Sequence, residues 1–210
     1  MTTPETLRAR KQRRTRDGIV ESAMALFDER GFDGVTVNEI AERAEVGRTT
    51  FFRYFADKQE VLFADDDEFL AMLTAAVEKA ARPMAPIGDN LNAALTAMRA
   101  GLDALAAVIA AHAGPWLPVR ERLMRENPVL NARSLLKERR YVQESAELLV
   151  AHGSTTETAA LAAGIAAACF LTAQITTAAD PVKLAEGVDA AFSRIAELGV
   201  GLTACRTPAE

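Results

Sequence analysis

The chain has 210 residues, of which 50% are hydrophobic and only 6% aromatic, and its formal net charge is −5. Such a chain can bury one sizeable core, or one core with a small appended domain, and its abundant alanine favours helix. No apolar segment follows the basic start, and Cys169 and Cys205 show neither metal-ligand spacing nor a CxxC pair. We therefore expect an all-α, cytoplasmic protein without a secretory signal, a metal or a cofactor.

The charge is unevenly distributed along the chain. Residues 1–60 carry 11 basic and 11 acidic side chains, so residues 61–210 supply the whole net charge. Six basic side chains crowd into the nine residues from Arg8 to Arg16, and Arg14 is one of them. A basic arm on an acidic protein indicates contact with a polyanion at that end only. The alternative is a disordered, solvated tail.

Two helices are predicted in the first part of the chain. Apolar side chains recur from Ile19 to Phe27 at the spacing of a helix that buries one face. Gly31 is typical of the residue that ends such a helix. Thr36 and Glu39 have the spacing of a capping box, so a second, short helix is expected to begin near Thr36.

A third short helix is predicted at 48–55, after a break at 45–47. Asp57 and Glu60 form another capping box, which is expected to open a longer helix that runs to about residue 79. Two short helices joined by a tight turn and braced by a longer helix make a helix-turn-helix module. In such a module the second short helix enters the major groove of DNA.

The outward face of this third helix predicts a DNA-binding surface. Arginine donates bidentately to guanine or phosphate, and threonine offers a hydroxyl to phosphate and a methyl group to thymine. Thr50 and Phe51 can face inward, and the start of the helix near Thr36 suits a phosphate. The candidate DNA-binding residues are Arg14, Thr36, Arg48, Thr49, Thr50, Phe52, Arg53, Tyr54 and Lys58. The alternative is an ordinary solvated face beside aromatic core residues.

The segment "TVNEIAERAEVGRTTFFRYFADKQEVLF" resembles the DNA-binding segment of TetR-family repressors, and the resemblance extends back through "RDGIVESAMALFDERGFDGV". It covers about residues 10–63. The resemblance implies a dimeric, all-helical repressor with a variable C-terminal ligand-binding domain. It also implies a phosphate contact for Thr36, recognition-helix positions at Arg48, Thr49 and Arg53, and backbone-contacting positions at Tyr54 and Lys58.

The segment departs from the family pattern at three positions. Glu45 occupies the turn position where the family usually has glycine, so a left-handed backbone there would strain the turn. Gly47 stands where serine or threonine often caps the recognition helix, and a glycine cap is weaker by only a few tenths of a kcal/mol. Phe52 replaces the more usual tyrosine, which removes any phenolic hydrogen bond from that position.

The remaining chain is predicted to form further helices, about nine in all. They are expected at about 90–111, 120–127 and 128–151, and Gly153 is expected to stop the last of these. Ser154 and Glu157 have capping-box spacing. Asp180 and Pro181 are predicted to be the N-cap and first residue of a final helix at about 181–198.

The stretch 158–179 carries no charged residue. A membrane span and a buried helix are the two alternatives, and the alanine-rich, threonine-rich composition and the missing basic flanks favour the buried helix. Small residues at helix spacing let a second helix approach closely, which predicts a homodimer through the helices at about 154–179 and 181–198; an intramolecular core is the alternative. The predicted interface residues are Ala160, Gly164, Ala168, Leu184, Val188, Phe192 and Ile195.

Nothing in the sequence favours an enzyme. His112 and His152 have no cysteine or paired carboxylate at ligand or triad spacing, and no glycine-rich phosphate loop is present. A pocket for a small apolar or amphipathic effector is expected among the later helices. Its candidate lining residues, for which plain core is the alternative, are Phe69, Met72, Met98, Leu102, Trp116, Tyr141 and Phe170.

We therefore expect residues 1–60 to form a helix-turn-helix DNA-binding domain with a basic arm, and residues 61–210 to form a helical ligand-binding and dimerisation domain. The expected function is a ligand-responsive regulator, a repressor that binds a palindromic operator as a dimer and is released by its effector. The resemblance points to acyl-CoA-like ligands. The alternative is an all-helical interaction or scaffold protein without sequence-specific DNA binding.

Overall fold

The computed structural model describes residues 6–112, 116–178 and 180–202, and this part of the chain is all-α, as predicted. Cys205 and Ala179, the last residue of one predicted dimer segment, lie outside the described residues. Two short 3₁₀ helices cover Glu60–Phe63 and Arg82–Met84. The described α-helices are α1 (Leu7–Arg30), α2 (Val37–Arg43), α3 (Arg48–Tyr54), α4 (Asp66–Ala81), α5 (Leu91–His112), α6 (Leu117–Glu126), α7 (Pro128–Ala151), α8 (Thr156–Thr176) and α9 (Leu184–Leu202).

The chain divides into two compact units. The first unit contains the described residues up to Asp66 together with Pro118–Ala132, so it holds α1 to α3 and most of α6. The second unit contains Asp67–Leu117 and the described residues from Arg133 onward. It holds most of α4 and α7 and the whole of α5, α8 and α9. The domain boundary expected after residue 60 stays a prediction.

Helix α1 begins earlier than its apolar pattern indicated. The Thr6 hydroxyl accepts a hydrogen bond from the Ala9 N–H over 3.2 Å, and this N-cap starts the helix at Leu7. The basic side chains therefore lie on a helix, and the alternative of a disordered tail is wrong from Leu7 onward. At the other end, Gly31 takes a φ of +72° and donates its N–H to the Phe27 carbonyl over 2.9 Å, so the predicted helix end is confirmed.

The core of the first unit draws on all three of its N-terminal helices. Ile19 and Phe27 on α1, Ile40 on α2 and Phe51 on α3 are fully buried. The Phe51 ring lies 5.7 Å from the ring of Phe55, in a tilted arrangement. Because α2 and α3 have only seven residues each, this burial, rather than helix propensity, holds them in place.

Three predicted helix starts are wrong in detail. Asp57 does accept hydrogen bonds from the Gln59 and Glu60 N–H groups, but the helix it opens is the short 3₁₀ segment Glu60–Phe63, and α4 begins only at Asp66. A turn at Ala64 and Asp65 separates this 3₁₀ segment from α4.

Helix α8 is capped by Thr155, not by Ser154. The Thr155 hydroxyl accepts from the Thr158 N–H over 3.3 Å. Ser154 is buried instead, because its segment pairs through the backbone with Gly88: the Thr155 N–H donates to the Gly88 carbonyl over 2.8 Å. The predicted stop of α7 at Gly153 is confirmed, since Gly153 has a φ of +80°.

Helix α9 begins at Leu184, three residues later than the Asp180–Pro181 pair indicated. The Asp180 carboxylate accepts from the Val182 N–H over 3.0 Å, and the Lys183 N–H donates to the Asp180 carbonyl over 3.1 Å. These bonds close a turn on Pro181 before the helix proper begins.

The core of the second unit is built mainly from α5, α8 and α9 packed on α4 and α7. The alanines on the inward faces of α5 and α8 are almost completely buried, which allows the helices to approach closely; they include Ala94, Ala97, Ala162 and Ala166. The Leu91–Ala111 and Thr156–Thr176 stretches of the described chain are long and apolar enough to cross a membrane. The core helices of soluble proteins meet the same criterion, and both helices bury one face inside this unit.

The α9 residues predicted to lie in a dimer interface are wrong, whereas the part of the helix itself in a dimer stays a prediction. Leu184, Val188 and Phe192 are buried inside the same protomer, and Ile195 packs against them. The periodicity correctly identified the apolar face of α9, but that face is covered by the chain's own α5 and α8 rather than by a second copy.

Candidate nucleic-acid interface

The turn between α2 and α3 ends α2 in a Schellman motif. The Val46 N–H donates to the Ala41 carbonyl over 2.9 Å, and the Glu45 N–H donates to the Glu42 carbonyl over 3.0 Å. This motif requires a left-handed residue, and Glu45 takes that conformation with a φ of +53°. The strained turn expected from the sequence is therefore present.

Helix α3 begins directly after this turn. Gly47 is its N-cap and makes no side-chain hydrogen bond, while its carbonyl accepts from the Thr50 and Phe51 N–H groups. Phe51 is fully buried and fixes the rotation of the helix about its axis. This rotation decides which side chains of the short helix point away from the protein.

The side chains opposite Phe51 lie at the surface, as predicted. Thr50 and Tyr54 are half-buried at the edges of this face. The contacts of these side chains with DNA stay a prediction. The exposed face of α3, called here the recognition face, consists of Arg48, Thr49, Phe52 and Arg53.

Two arginines of the recognition face lie beside aromatic rings. The guanidinium carbon of Arg48 is 5.4 Å from the centre of the Phe52 ring, and that of Arg53 is 5.1 Å from the Tyr54 ring. An exposed cation–π pair contributes about 0.5–1 kcal/mol. Both pairs restrict long side chains that would otherwise be free in solvent.

Thr36 and Glu39 form the predicted capping box at the start of α2. The Thr36 hydroxyl accepts from the Glu39 N–H over 3.3 Å, and the Glu39 carboxylate accepts from the Thr36 N–H over 2.8 Å. The same carboxylate accepts from the Thr36 hydroxyl over 2.7 Å and pairs with Arg30 over 2.7 Å. The Thr36 hydroxyl and N–H, followed by Arg30, hold the pKa of Glu39 below its usual value.

The hydroxyl hydrogen of Thr36 is thus engaged by Glu39. A phosphate contact from this hydroxyl requires the hydrogen to turn away from the carboxylate, and that contact stays a prediction. The capping box has a second effect, because it fixes the start of α2 and hence the position of the turn that carries α3.

Lys58 makes internal contacts that the sequence did not indicate. Its ammonium donates to the carbonyl oxygens of Phe32 and Val35 over 2.8 and 2.9 Å, and its side chain is half-buried. An ammonium has three N–H groups, and two of them are engaged in these bonds. The predicted phosphate contact of Lys58 stays untested by this geometry, but the lysine has a structural role as well.

The basic residues of α1 divide into two groups. Arg14 is exposed, as are Arg8, Arg10 and Lys11 on the preceding turns. Arg16 is half-buried: its guanidinium donates to the Ala64 carbonyl and lies 3.3 Å from the Asp65 carboxylate. The sequence alone does not distinguish Arg16 from the exposed basic residues of α1, because its partners lie almost 50 positions further along the chain.

The candidate effector-binding residues all lie in the second unit. Met98 and Leu102 are buried in its core, and Phe69, Tyr141 and Phe170 pack against that core. Met72 and Trp116 are half-buried. Their role as pocket lining stays a prediction.

No sequence motif marks Ser145. It lies on α7 one turn after Tyr141, is 1% exposed, and its hydroxyl has no hydrogen-bond partner among the described residues. A single serine in a helix does not predict a buried hydroxyl without a partner, because serine hydroxyls usually bond to a backbone carbonyl or to water.

Comparison with known proteins identifies the first unit. Residues 19–64 match the family model described as bacterial regulatory proteins, tetR family. The HTH-type transcriptional regulator TcmR of Streptomyces glaucescens is 44% identical over 101 residues, which are 46% of this chain and 41% of TcmR. The regulator YdeS of Bacillus subtilis (strain 168) is 40% identical over 60 residues, 29% of either chain. The matches thus span less than half the length of these curated relatives.

Solved structures extend the likeness in fold to most of the chain. A TetR-family transcriptional regulator from Mesorhizobium loti MAFF303099 superposes with a TM-score of 0.56 at 21% identity and covers 92% of this chain and 98% of its own. The complex of SmeT with triclosan gives a TM-score of 0.56 at 18% identity and covers 86% and 90%. The N-terminal segment therefore belongs to the TetR family of transcriptional regulators, and most of the chain shares the fold of solved TetR-family regulators.

Proposed function

We propose that this regulator is a repressor that binds a palindromic operator as a homodimer and releases it when a small apolar or amphipathic effector binds. The observation that carries the proposal is the recognition face of α3, which presents two arginines, a threonine and an aromatic ring to solvent from a helix anchored by Phe51. Such a regulator works in the cytoplasm, where its operator is accessible.

The recognition face supplies the base-reading part of this function. Arg48 and Arg53 suit guanine or phosphate, and Thr49 suits phosphate or a thymine methyl group. Phosphate contacts are proposed for Thr36, Tyr54 and Lys58, and for Arg14 on α1. Phosphate contacts fix the position of the domain on the duplex, whereas base contacts select the sequence.

The exposed face of α8 supports a dimer. An added Cβ at Gly164 would meet no atom of the described chain within 4 Å, so a second helix can approach closely there. Leu161 and Leu171 are half exposed and Ile175 is 71% exposed on the same helix. We propose that this stripe, called here the α8 stripe, packs on its symmetry mate together with the outer face of α9; it consists of Ala160, Leu161, Gly164, Ala168, Leu171 and Ile175.

A two-fold dimer matches a palindromic operator. Its two recognition helices would enter successive major grooves about 34–36 Å apart on one side of the duplex. An isologous interface through the α8 stripe provides the required two-fold axis, because the same patch then pairs with itself.

The effector site is proposed among Phe69, Met72, Met98, Leu102, Trp116, Tyr141 and Phe170. These side chains are mainly apolar, and the unpartnered hydroxyl of buried Ser145 offers one polar group on the same helix as Tyr141. An amphipathic molecule can place its apolar body against these side chains and a polar group beside the Ser145 hydroxyl. Acyl-CoA-like ligands are one such class. The fold neighbour SmeT was solved with triclosan, which is a small aromatic molecule.

The effector acts by shifting an equilibrium between two separations of the recognition helices. The effector shifts this equilibrium only if it binds more tightly to the state that cannot bind the operator than to the state that can. An operator affinity that never changes over a titration with candidate ligands would reject induction while leaving DNA binding intact.

Selection of bound DNA from a random duplex pool tests the DNA-binding part directly. We expect enrichment of one palindromic sequence whose half-sites lie one helical turn apart. Enrichment of a single, non-repeated site would reject the dimeric arrangement. No enrichment over the starting pool would reject sequence-specific binding and favour a protein-interaction role.

A further inference from the structure

We propose that Phe52 is a positioning residue for Arg48, and that it sharpens the base preference of the recognition helix. The inference rests on the DNA-binding function proposed above. The two residues are four positions apart on α3, so their side chains meet on one face of the helix, and the guanidinium carbon of Arg48 lies 5.4 Å from the centre of the Phe52 ring.

Phe52 is itself held in place, although it is 45% exposed. Its ring lies 5.5 Å from the ring of Phe51 at an interplanar angle of 85°, an edge-to-face contact. Phe51 is fully buried in the core of the unit. The aromatic surface offered to Arg48 is therefore fixed through Phe51 rather than free to change rotamer in solvent.

A ring is a suitable partner for an arginine that reads bases. The five N–H donors of a guanidinium lie in its plane, whereas an aromatic ring interacts with its face. Phe52 therefore restrains Arg48 without using the in-plane donors that guanine O6 and N7 require.

Two arginines of the same unit that lie outside the recognition face are restrained by carboxylates instead. Arg30 pairs with the Glu39 carboxylate over 2.7 Å, and Arg43 pairs with Glu29 over 2.7 Å. A carboxylate partner consumes N–H donors and cancels the charge, so these two arginines are poorly placed to read a base. Arg48, like Arg53 beside Tyr54, combines exposure on the recognition face with a restraint that leaves its N–H donors free.

The restraint has an expected effect on affinity and on specificity. An arginine side chain loses rotamer freedom when it binds a base, and a side chain that is already ordered loses less. For an exposed cation–π pair we expect a two- to fivefold effect on affinity for the selected operator. Because a mobile arginine can also reach neighbouring acceptors, we also expect reduced discrimination at the base pair that Arg48 reads.

Two substitutions at position 52 distinguish the effect of the aromatic ring from the effect of an apolar side chain of similar size. Phe52→Leu keeps an apolar side chain against Phe51 but has no π face, whereas Phe52→Tyr keeps the ring. On the operator selected by the wild-type dimer, we expect Phe52→Leu to bind two- to fivefold more weakly than the wild type. We expect Phe52→Tyr, which keeps the ring and adds a hydroxyl able to donate to phosphate, to bind at least as tightly as the wild type. Equal affinities of the wild type and Phe52→Leu would overturn the inference while leaving the DNA-binding function intact.

A double-mutant cycle with Arg48→Ala tests whether Phe52 acts through Arg48. In the Arg48→Ala background, Phe52→Leu should change neither the affinity nor the base preference. Independent, multiplicative losses would overturn the inference, because they would show that Phe52 contacts DNA by itself. Matching urea-unfolding curves for the variants would exclude a loss of fold as the cause of weaker binding.

A measurement on the free protein completes the test. Nitrogen-15 relaxation of the Arg48 Nε–H group should report a more ordered side chain in the wild type than in Phe52→Leu. Equal order in the two proteins would overturn the positioning role whatever the DNA result. A wild-type protein that selects no sequence from the random pool would instead overturn the DNA-binding function and, with it, this inference.

Discussion

Lys58 donates a hydrogen bond to the carbonyl oxygen of Phe32 over 2.8 Å, and the same ammonium lies 4.2 Å from the centre of the Phe32 ring. A second bond, to the Val35 carbonyl over 2.9 Å, places both acceptors in the segment between α1 and α2. Lys58 itself follows α3. It therefore joins the two ends of the helix-turn-helix through contacts between residues more than 20 positions apart.

We expect Lys58→Met to destabilise the first unit by about 1–2 kcal/mol, because two hydrogen bonds from a half-buried charged donor are lost while the apolar stem is kept. Hydrogen exchange of the α1 and α2 amides, measured by mass spectrometry, reports the local opening free energy. Lys79→Met, an exposed lysine on α4, is the matched control and should leave these amides unchanged.

The salt dependence of operator binding separates this structural role from a phosphate contact. If Lys58 acts only inside the protein, the slope of log affinity against log salt is the same for Lys58→Met and the wild type. A slope smaller in magnitude by about 0.9 would show that Lys58 also neutralises one phosphate.

The second prediction concerns Glu45, which takes a φ of +53° in the turn before α3. A left-handed backbone costs a non-glycine residue about 1–2 kcal/mol, and glycine avoids that steric cost but loses more entropy on folding. We therefore expect Glu45→Gly to stabilise the first unit by about 1 kcal/mol, as measured by hydrogen exchange of the α2 and α3 amides. Glu45→Ala keeps the strained conformation and should be close to the wild type. Equal protection of all three proteins would show that the turn relaxes its strain in solution.

The turn also shows what the sequence can predict. The Thr36–Glu39 box, the helix end at Gly31 and the inward rotation of Phe51 depend on residues within about one or two turns of each other. Local spacing therefore determines them, and all three are confirmed.

Features decided by distant contacts were predicted less well. Ser154 and Thr155 are both favourable N-caps by residue type. The backbone pairing with Gly88, more than 60 positions earlier, buries Ser154 and leaves Thr155 to cap α8. Likewise, the apolar period of α9 reveals that Leu184 and Val188 must be covered, but not whether their partner is the same chain or a second copy. The internal acceptors of Lys58 belong to this class too.

The third prediction is a pH dependence that arises from Glu39. Its pKa is lower in the folded protein than in the unfolded chain, so the ionised carboxylate favours folding. This contribution is fully present above about pH 5 and is lost as the pH falls through the lowered pKa. The urea midpoint of the wild type should therefore fall more than that of Glu39→Gln between about pH 6 and pH 3.

Once the pH has fallen below the lowered pKa of Glu39, both side chains are uncharged, so we expect the two midpoints to converge. Circular dichroism in the far ultraviolet follows the unfolding of helix in both proteins. A constant difference between the midpoints across the whole range would contradict the assignment and would indicate that the Gln side chain caps α2 less well for reasons of geometry alone.

The last prediction tests the α8 stripe as the dimer interface. Leu171 is half exposed in the protomer, so Leu171→Glu should leave the helical content of the protomer unchanged. At a two-fold interface the substitution would place two carboxylates close together in apolar surroundings, which opposes association strongly. We expect Leu171→Glu to sediment as a monomer at micromolar concentration and to bind a single half-site weakly. Leu136→Glu changes an exposed leucine of α7 in the same way and should remain dimeric. If Leu171→Glu sediments as the wild type does, the interface lies elsewhere. If the wild type is itself a monomer, two paired recognition helices do not read a palindrome, and that part of the proposal is rejected.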